Sequence, residues 1–232
     1  MTPSGGPSRG HAVVTGVSSG IGAAIAARLL RDGWSVTGLS RTNPGQHAPG
    51  FSHRAVDLLD PTQRPAALEG LRPVTALVHA AGLMRAGSLG ALDAEAGRTL
   101  WRLHVEAASL LADRLVPEMP DGGRIVLIGS RTASGAAGRS QYAASKAALV
   151  AMARSWALEL APRGITANVV APAATETPML RDPARSDTPP RLPPIGRFVT
   201  PEEVAAATAF LLGPEAGAIT GQQIVICGGS SL

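Results

Sequence analysis

Apolar residues along the chain follow two alternating patterns. Short runs rich in β-branched residues are followed by longer stretches with helical spacing, which is typical of a parallel sheet connected by crossover helices. The short runs predict seven strands, at residues 12–15, 35–39, 52–56, 75–79, 124–129, 165–170 and 223–226. The longer stretches predict helices at 21–30, 61–68, 98–116, 142–160 and 201–212. We therefore expect an α/β fold in which about seven parallel strands form one sheet.

The start of the last predicted helix carries the clearest local signal. Thr200 can cap the helix, Pro201 suits the first helical position, and Glu203 completes a capping box. This helix is therefore expected to begin at Pro201.

One segment, residues 173–199, interrupts the alternation. It is too long and too rich in proline for a tight connection between elements. Such a loop is either a lid over a binding site or a mobile solvated loop. Its arginines could bind an acidic or phosphopantetheine-linked substrate, although a solvated loop explains them equally well. They are Arg181, Arg185, Arg191 and Arg197.

Length and composition favour one globular enzyme domain. The chain has 232 residues, of which 45% are hydrophobic and 16% are charged, and this balance argues against disorder. Residues 1–10 have turn-forming composition and no apolar signal core, so we expect a flexible tail followed by one domain over 11–232. No apolar run is long enough for a membrane span, and the expected location is cytoplasmic.

Charge and cysteine content exclude several other classes of function. The net charge is +4, but the arginines are scattered and not interleaved with aromatic residues, so we expect no nucleic-acid partner. The single cysteine, Cys227, excludes an intrachain disulfide and is expected to be a quiet, partly buried thiol. The five histidines are dispersed without metal-ligand spacing, so no metal site is predicted.

A glycine-rich turn follows the first predicted strand. Gly16, Gly20 and Gly22 allow a tight turn, close approach of backbone to a pyrophosphate, and contact between helix and strand. The helix that follows would present free N–H groups to an anion. The segment from Gly16 to Gly22 therefore predicts a nucleotide site, and it contains Ser18, Ser19 and Ile21 as further candidate contacts.

The end of the second predicted strand bears on cofactor choice. In such folds this position faces the adenosine ribose, and an acidic residue there would bind the 2′-hydroxyl of NAD. This chain has Ser40 and Arg41, which could instead receive a 2′-phosphate. We therefore expect NADP(H) to be preferred over NAD(H), although Arg41 is also consistent with an ordinary surface arginine.

One tyrosine and one lysine lie four residues apart in the longest predicted helix. Tyr142 is the single tyrosine and Lys146 the single lysine, the other 20 basic side chains being arginines. Positions i and i+4 share a helix face, so the ammonium can stabilise a phenolate. A lysine held there can lower a phenol's pKa from about 10 toward neutral pH, which gives an acid/base for alcohol or carbonyl chemistry. The pattern alone is more often that of an exposed helix pair.

The motifs taken together resemble those of the classical short-chain dehydrogenase/reductase family over nearly the whole chain. In order they are TGxxxGIG (15–22), VDLLD (56–60), HAAG (79–82), YxxxK (142–146), APAATETPM (171–179) and GQQIVICGG (221–229). The resemblance implies a Rossmann-type doubly wound sheet of seven parallel strands, a nicotinamide cofactor, hydride transfer between a carbonyl and an alcohol, and often a tetramer.

The resemblance also implies catalytic roles. Tyr142 would donate or accept the substrate proton, Lys146 would bind the nicotinamide ribose, and Ser130 would orient the substrate oxygen. Ser130 is also consistent with a strand-end turn. It lies twelve positions before Tyr142, one fewer than is usual in the family, and Ser134 is a second candidate.

Further cofactor contacts follow from the same resemblance. Asp57 and Leu58 would contact the adenine, although Asp57 is equally consistent with a helix cap before Pro61. Ala81 and Gly82 would pass beneath the cofactor. The segment that would receive the carboxamide and phosphates contains Pro172, Ala173, Thr175 and Thr177, with Ala173 replacing the usual glycine.

Three further residues depart from the family pattern. His79 and His104 stand where the family has asparagines, and His104 lies at the expected offset, 22 positions beyond Gly82. In the family, the asparagine at the position of His104 holds a proton-relay water near the lysine. An imidazole at this position could preserve that relay with added pH sensitivity. A buried helix histidine without a relay role is the alternative. Cys227 occupies a position that is often acidic, for which we expect a packing role.

The chain is thus expected to be an NADP(H)-dependent short-chain oxidoreductase, most readily a carbonyl reductase, with a small-molecule substrate and a homotetrameric or homodimeric assembly. Two alternatives within enzymes are an NAD-linked alcohol dehydrogenase and an epimerase-like member of the family. A nucleotide-binding redox sensor or scaffold is the alternative outside enzymes.

Overall fold

The computed structural model describes residues 9–45, 48–181 and 191–232. Its strands are β1 His11–Thr15, β2 Ser35–Ser40, β3 Phe51–Ala55, β4 Ala76–His79, β5 Arg124–Ile128, β6 Thr166–Pro172 and β7 Gln223–Ile226. Its α-helices are α1 Gly20–Arg31, α2 Gln63–Ala66, α3 Ala94–Trp101, α4 Ala107–Leu115, α5 Ser140–Leu160 and α6 Pro201–Leu212.

All seven strands pair in parallel in one sheet, in the order β3-β2-β1-β4-β5-β6-β7. The predicted sheet is therefore confirmed, with strand ends shifted by one or two residues. The chain first builds outward from β1 to β3 and then returns to place β4 on the other side of β1. This reversal opens a crevice at the carboxyl ends of the strands, where open α/β sheets bind ligands.

Both faces of the sheet are covered, which is why its central strands are mostly apolar. On one face Val13 and Leu77 pack with residues of α4 and α5, such as Leu111 and Leu149. On the other face Val14 packs with apolar residues of α1 and α6. They are Ile25, Ala26, Leu29, Val204, Ala205 and Leu211. Every residue of β1 is buried, as expected for a parallel strand between two helix layers.

The helix predicted at 98–116 is longer and less regular than expected. It begins at Ala94 because the Asp93 side chain accepts hydrogen bonds from the N–H groups of Glu95 and Ala96. Residues Arg102–Glu106 form a π-helical segment between α3 and α4. Conversely, the helix predicted at 61–68 is shorter, since α2 spans four residues.

The predicted capping box at the start of α6 is confirmed. The Thr200 hydroxyl accepts from the Glu203 N–H at 3.2 Å, and the Glu203 carboxylate accepts from the Thr200 N–H at 2.8 Å. None of the helices formed by the described residues has the length and apolarity that a bilayer crossing requires. Most of the predicted N-terminal tail, residues 1–8, and residues 182–190 of the predicted lid lie outside the described part of the chain.

Candidate active site

Two adjoining cavities open at the carboxyl ends of the strands. The large cavity, about 940 Å³, lies beyond β4, β5 and β6, and the small cavity, about 270 Å³, lies beyond β1 and β2. They adjoin because several residues line both. These shared residues are Ile21, Ala80, Gly82, Leu83, Thr177 and Met179.

The small cavity is walled by the glycine-rich turn. Gly16 has φ of 73° and its backbone packs against Ala81, since a Cβ there would lie 2.9 Å from the Ala81 Cα. A Cβ on Gly22 would overlap the Gly16 carbonyl oxygen. Side chains at these positions would close the space that a pyrophosphate needs.

The amino terminus of α1 opens on the small cavity without a side-chain cap. Its N-cap residue is Ser19, whose hydroxyl makes no capping hydrogen bond, and the first turn contains no acidic residue. The free N–H groups and the positive end of the helix dipole therefore suit an anion such as a diphosphate. All residues predicted from this turn line the cavity. They are Gly16, Ser18, Ser19, Gly20, Ile21 and Gly22.

A buried network holds the segment beneath the two cavities. The Thr15 hydroxyl accepts from the N–H groups of Ala80 and Ala81 at 3.0 and 2.9 Å, so its proton is directed to His79 Nδ1 at 3.2 Å. His79 Nε2 then donates to the Leu103 carbonyl oxygen in the π-helical segment, at 3.0 Å. Burial lowers the pKa of His79 to about 3, so the ring is neutral. Each of its two nitrogens then has a hydrogen-bond partner, Nδ1 as the acceptor and Nε2 as the donor.

Ser40 and Arg41 both line the small cavity, but their side chains differ in whether they are free to bind a phosphate. The Ser40 hydroxyl donates to the Thr42 carbonyl oxygen at 2.8 Å and lies 3.0 Å from His53 Nε2, which ties β2 to β3. Arg41 is exposed. Of the two residues, Arg41 is therefore the one whose side chain is free to reach a bound phosphate.

Asp57 and Leu58 also line the small cavity. The Asp57 carboxylate accepts from the Leu59 N–H at 2.9 Å, which makes it part of a tight turn. It does not cap α2, because the N-cap residue of that helix is Thr62. The structure thus favours a role for Asp57 in lining the cavity over the alternative role as a helix cap.

The remaining predicted residues line one or both cavities. Those of the large cavity are Gly82, His104, Ser130, Tyr142, Lys146, Pro172, Ala173, Thr175 and Thr177. Ala81 lines the small cavity and Gly82 lines both. The fold therefore brings together groups that lie far apart in the chain.

Tyr142 and Lys146 lie in the first two turns of α5 and are both buried. The Lys146 ammonium lies 5.9 Å from the centroid of the Tyr142 ring and donates to the Ile128 carbonyl oxygen at 2.9 Å. Burial lowers the pKa of Lys146 from 10.5 to about 7. This pair is therefore built into the cavity wall and is not the exposed helix pair that the pattern alone allows.

Ser130 lies at the end of β5 and faces the same cavity. Its oxygen accepts from the Thr132 N–H at 3.2 Å and lies 2.8 Å from the Thr132 hydroxyl, so Thr132 fixes its position. Ser134, the second candidate, does not line either cavity, and its hydroxyl donates to the Arg131 carbonyl oxygen. The geometry favours Ser130 as the residue that contacts substrate.

His104 is fully buried beside Lys146. A Cβ on Gly82 would lie 3.1 Å from His104 Nε2 and 3.6 Å from Lys146 Nζ, so both nitrogens flank the same point. The Leu83 N–H donates to His104 Nε2 at 3.2 Å, so Nε2 carries no proton. The other nitrogen, Nδ1, must then donate to the Ser145 hydroxyl at 2.9 Å.

The Ser145 hydroxyl in turn donates to the Tyr142 carbonyl oxygen at 2.8 Å. Burial, and secondarily the Lys146 charge, lower the pKa of His104 well below 6.5. A neutral ring with both nitrogens engaged can hold Tyr142 in place, but it has no free atom for a relay water. These hydrogen bonds favour a positioning role for His104 over the predicted relay role of its ring.

Substitution of His104 distinguishes these roles. We expect His104→Ala to lower kcat about tenfold, because two hydrogen bonds that hold the Tyr142 helix to the Leu83 segment are lost. The pH profile of kcat should keep its shape, since a neutral ring contributes no ionisation. Steady-state rates from pH 5.5 to 9 measure both quantities.

His104→Asn is the matched variant, because an amide can both donate and accept. We expect it to recover part of the rate. Loss of one ionisation from the profile of His104→Ala would instead support the relay role.

Two arginines that belong to none of the sequence motifs also line the large cavity. Arg131 follows Ser130, and Arg139 lies at the N-cap position of α5. Arg191 of the predicted lid lines the cavity as well, whereas Arg197 pairs with Glu203 at 2.7 Å. Arg185 lies outside the described residues.

Cys227 does not line either cavity. The thiol is partly buried, as expected, and a hydrogen bond from the Ser231 side chain lowers its pKa.

Comparison with known proteins gives a consistent result. A family model described as enoyl-(acyl carrier protein) reductase matches residues 16–231. The 3-oxoacyl-(acyl-carrier-protein) reductase of Vibrio cholerae is 34% identical over 234 residues, covering 94% of this chain and 96% of its own length.

Solved structures show the same architecture. A blue fluorescent protein from a metagenomic library, in complex with NADPH, superposes with a TM-score of 0.87 at 34% identity, covering 97% of this chain and 99% of its own. A 3-ketoacyl-(acyl-carrier-protein) reductase from Brucella melitensis, complexed with NADH, also has a TM-score of 0.87, at 26% identity and the same coverage.

Proposed function

Because the chain belongs to the classical short-chain dehydrogenase/reductase family, we propose that it is an NADP(H)-dependent oxidoreductase that reduces a ketone or oxidises the matching secondary alcohol. One observation carries the proposal. Ser130, Tyr142 and Lys146 line a single cavity that adjoins a glycine-rich anion site. The relatives whose names specify 3-oxoacyl reduction act on a carbonyl, which agrees with this reaction class.

The residues present fit a nicotinamide dinucleotide. The uncapped start of α1 and the close backbone at Gly16 and Gly22 suit the diphosphate, and Asp57 and Leu58 wall the far end of the small cavity. When bound, such a cofactor supplies or accepts the hydride. Lys146 would hold the end of the cofactor that reaches the large cavity.

The chain's own residues handle the substrate oxygen and its proton. The Ser130 hydroxyl, fixed by Thr132, donates a hydrogen bond to the carbonyl oxygen. The Tyr142 phenol donates its proton to that oxygen as an alcohol forms, and the buried Lys146 ammonium stabilises the phenolate left behind. Ser130 and Tyr142 are fixed in the cavity wall before substrate enters. The reaction therefore requires little further ordering of these side chains.

A redox sensor without turnover is less well supported. A sensor needs the anion site but has no use for a phenol and an ammonium buried in the adjoining cavity. Desolvation of Lys146 costs stability, as its lowered pKa indicates. Such a cost is typical of a catalytic site.

The assay that tests the proposed function is NADPH oxidation over a panel of ketones, 3-oxoacyl thioesters, quinones and one enoyl thioester. Turnover of a carbonyl compound supports the proposal. Tight NADPH binding without turnover would support the sensor, and turnover of the enoyl thioester alone would replace carbonyl reduction with reduction of a carbon–carbon double bond.

The preference for NADP(H) rests on Arg41. We expect Arg41→Ala to weaken NADPH binding about 10- to 100-fold, because a charge-assisted contact to the 2′-phosphate is lost. NADH has no such phosphate, so its binding should change less than about twofold. Fluorescence titration with each cofactor gives both dissociation constants.

Arg72→Ala is the matched control, since Arg72 is also exposed but lines neither of the two cavities. Equal losses of NADPH and NADH binding in Arg41→Ala would refute this cofactor assignment and favour an ordinary surface role.

We further propose that the described parts of segment 173–199, residues 173–181 and 191–199, form a lid over the large cavity of the single domain 11–232. The described parts of this segment support it, since Thr175, Met179 and Leu192 line the cavity. Thr175 also forms a β-bridge with Val199, which ties the two ends of the segment together.

A homotetramer, or a homodimer, is the proposed assembly. Two groups of large apolar side chains are exposed, one on the layer of α3, α4 and α5 and one on α6 and the β7 edge. The first contains Trp101, Leu110 and Leu158, and the second contains Phe210, Ile224 and Val225. Two such surfaces per chain suit an assembly with two kinds of interface. Light scattering of the purified protein tests the oligomeric state.

The cytoplasmic location stays a prediction.

A further inference from the structure

The large cavity has an uneven distribution of charge. The described residues that line it include three arginines, Arg131, Arg139 and Arg191, and no Asp or Glu side chain. Positive charge in a partly enclosed cavity attracts an anion, because the low-dielectric walls focus the field. The net positive charge of the chain alone would not direct an anion to this cavity.

Arg131 is the cation best placed to contact a substrate. It is half-buried and its Nη1 donates to the Ser230 carbonyl oxygen at 3.3 Å, which holds the side chain across the cavity wall. It forms no ion pair with any described residue. A guanidinium has five N–H donors, so this one contact leaves a pair of them for a bidentate partner.

The position of Arg131 in the chain limits where the anion sits. It directly follows Ser130, so the two Cα atoms are about 3.8 Å apart. Both residues also line the large cavity, so an anion bound by Arg131 shares that cavity with a carbonyl held by Ser130. The phosphate of a phosphopantetheine arm is separated from the acyl carbonyl by a much longer chain, so a carboxylate on the substrate itself fits better.

Part of the cavity wall is apolar. Leu83, Met84, Met179 and Leu192 line it together with Pro194. Building on the proposed ketone reduction, we propose that the substrate is an oxo acid, a ketone that bears a carboxylate close to the carbonyl and an apolar remainder. Arg131 is then the residue that selects the acid over its neutral analogues.

Matched acid and ester pairs test the inference. Suitable probes are 2-oxo-4-phenylbutanoate and 4-oxo-4-phenylbutanoate, each compared with its methyl ester in NADPH oxidation. For at least one pair we expect kcat/KM to favour the acid about tenfold or more, mainly through KM. Arg131→Gln should reduce that acid-to-ester ratio about 10- to 100-fold, and Arg131→Lys should reduce it less.

Arg85→Gln is the control variant. Arg85 also donates to a backbone carbonyl, that of Met84, but does not line the cavity, so the ratio should stay at its wild-type value. Equal rates on acid and ester, or an unchanged ratio in Arg131→Gln, would overturn the inference while ketone reduction stands. An effect of Arg131→Gln on phosphopantetheine thioesters but not on oxo acids would also overturn it.

A binding measurement keeps the inference separate from the proposed function. With NADP⁺ the protein cannot reduce a ketone, so calorimetry of the acid and the ester measures recognition alone. Tighter binding of the acid that is lost in Arg131→Gln supports the inference even if no compound is reduced. Equal binding of acid and ester contradicts it.

Discussion

Replacement of Tyr142 by phenylalanine should lower kcat for ketone reduction by about 10²- to 10⁴-fold, the range that a positioned general acid contributes. The phenylalanine ring keeps the edge-on contact with the His104 ring, whose centroid lies 5.6 Å away. The substitution therefore removes the acidic proton with little change in packing. Steady-state NADPH oxidation with the best ketone measures the loss.

Cofactor binding separates a chemical defect from a structural one. We expect Tyr142→Phe to bind NADPH within about threefold of wild type, because one neutral hydrogen bond is the most it loses. Ser130→Ala is the companion variant, and its loss should be smaller because the phenol remains. A kcat of Tyr142→Phe close to that of wild type would remove the phenol from the mechanism.

Replacement of Lys146 by methionine should have opposite effects on rate and stability. The rate should fall at least about 10²-fold, since the phenolate loses its stabilising charge. The cofactor-free protein should become more stable by about 1–3 kcal/mol at pH 7, because a desolvated ammonium is replaced by an apolar side chain of similar length. Lys146 is 4% exposed, so little solvent screens this cost.

The stability gain should depend on pH in a defined direction. Above pH 10.5 the amine is neutral in both the folded and the unfolded chain, so its burial carries no proton-linked cost. Between pH 10.5 and about 7 the unfolded chain binds a proton that the folded chain does not, which favours unfolding. Below pH 7 both states are protonated and the cost is constant.

The difference in unfolding free energy between Lys146→Met and wild type should therefore be largest near pH 6 and smaller at pH 9. Denaturant titrations at the two pH values measure it. Arg154→Met is the control, since Arg154 is an exposed cation on the same helix. A Lys146→Met protein less stable than wild type at both pH values would show that the ammonium is not a desolvated group.

Much of the fold could be predicted from the sequence, because its signals are local. The seven strands follow from short apolar runs between turn residues, and the start of α6 follows from the Thr200 and Glu203 pair. The early start of α3 had a readable signal as well, since Asp93 is a capping residue followed by Glu95 in the first turn.

The π-helical segment Arg102–Glu106 could not be predicted in this way. Its Leu103 carbonyl accepts a hydrogen bond from His79, which lies 24 residues earlier in the chain. Local propensity contains no information about such a partner. For the same reason Ser145 and Thr132 were not predicted as supports of Tyr142 and Ser130, because their roles depend on three-dimensional contacts.

The motifs indicated which residues would meet, and the structure refines what several of them can do. Ser40 was a candidate phosphate ligand, yet its hydroxyl is engaged by Thr42 and His53. His104 was a candidate relay, yet both ring nitrogens are engaged. Arg131 had a visible signal, adjacency to Ser130, although the proline-rich segment had been the expected source of substrate-binding arginines.

Hydride transfer to a carbonyl carbon is the central claim, and isotope transfer tests it most directly. NADPH deuterated at the transferred position of the nicotinamide is incubated with the protein and a ketone, and the product is examined by mass spectrometry. We expect the alcohol to carry deuterium on its carbinol carbon, and Tyr142→Phe to form it far more slowly. Tight binding of NADPH with no labelled alcohol from any carbonyl compound would contradict the claim.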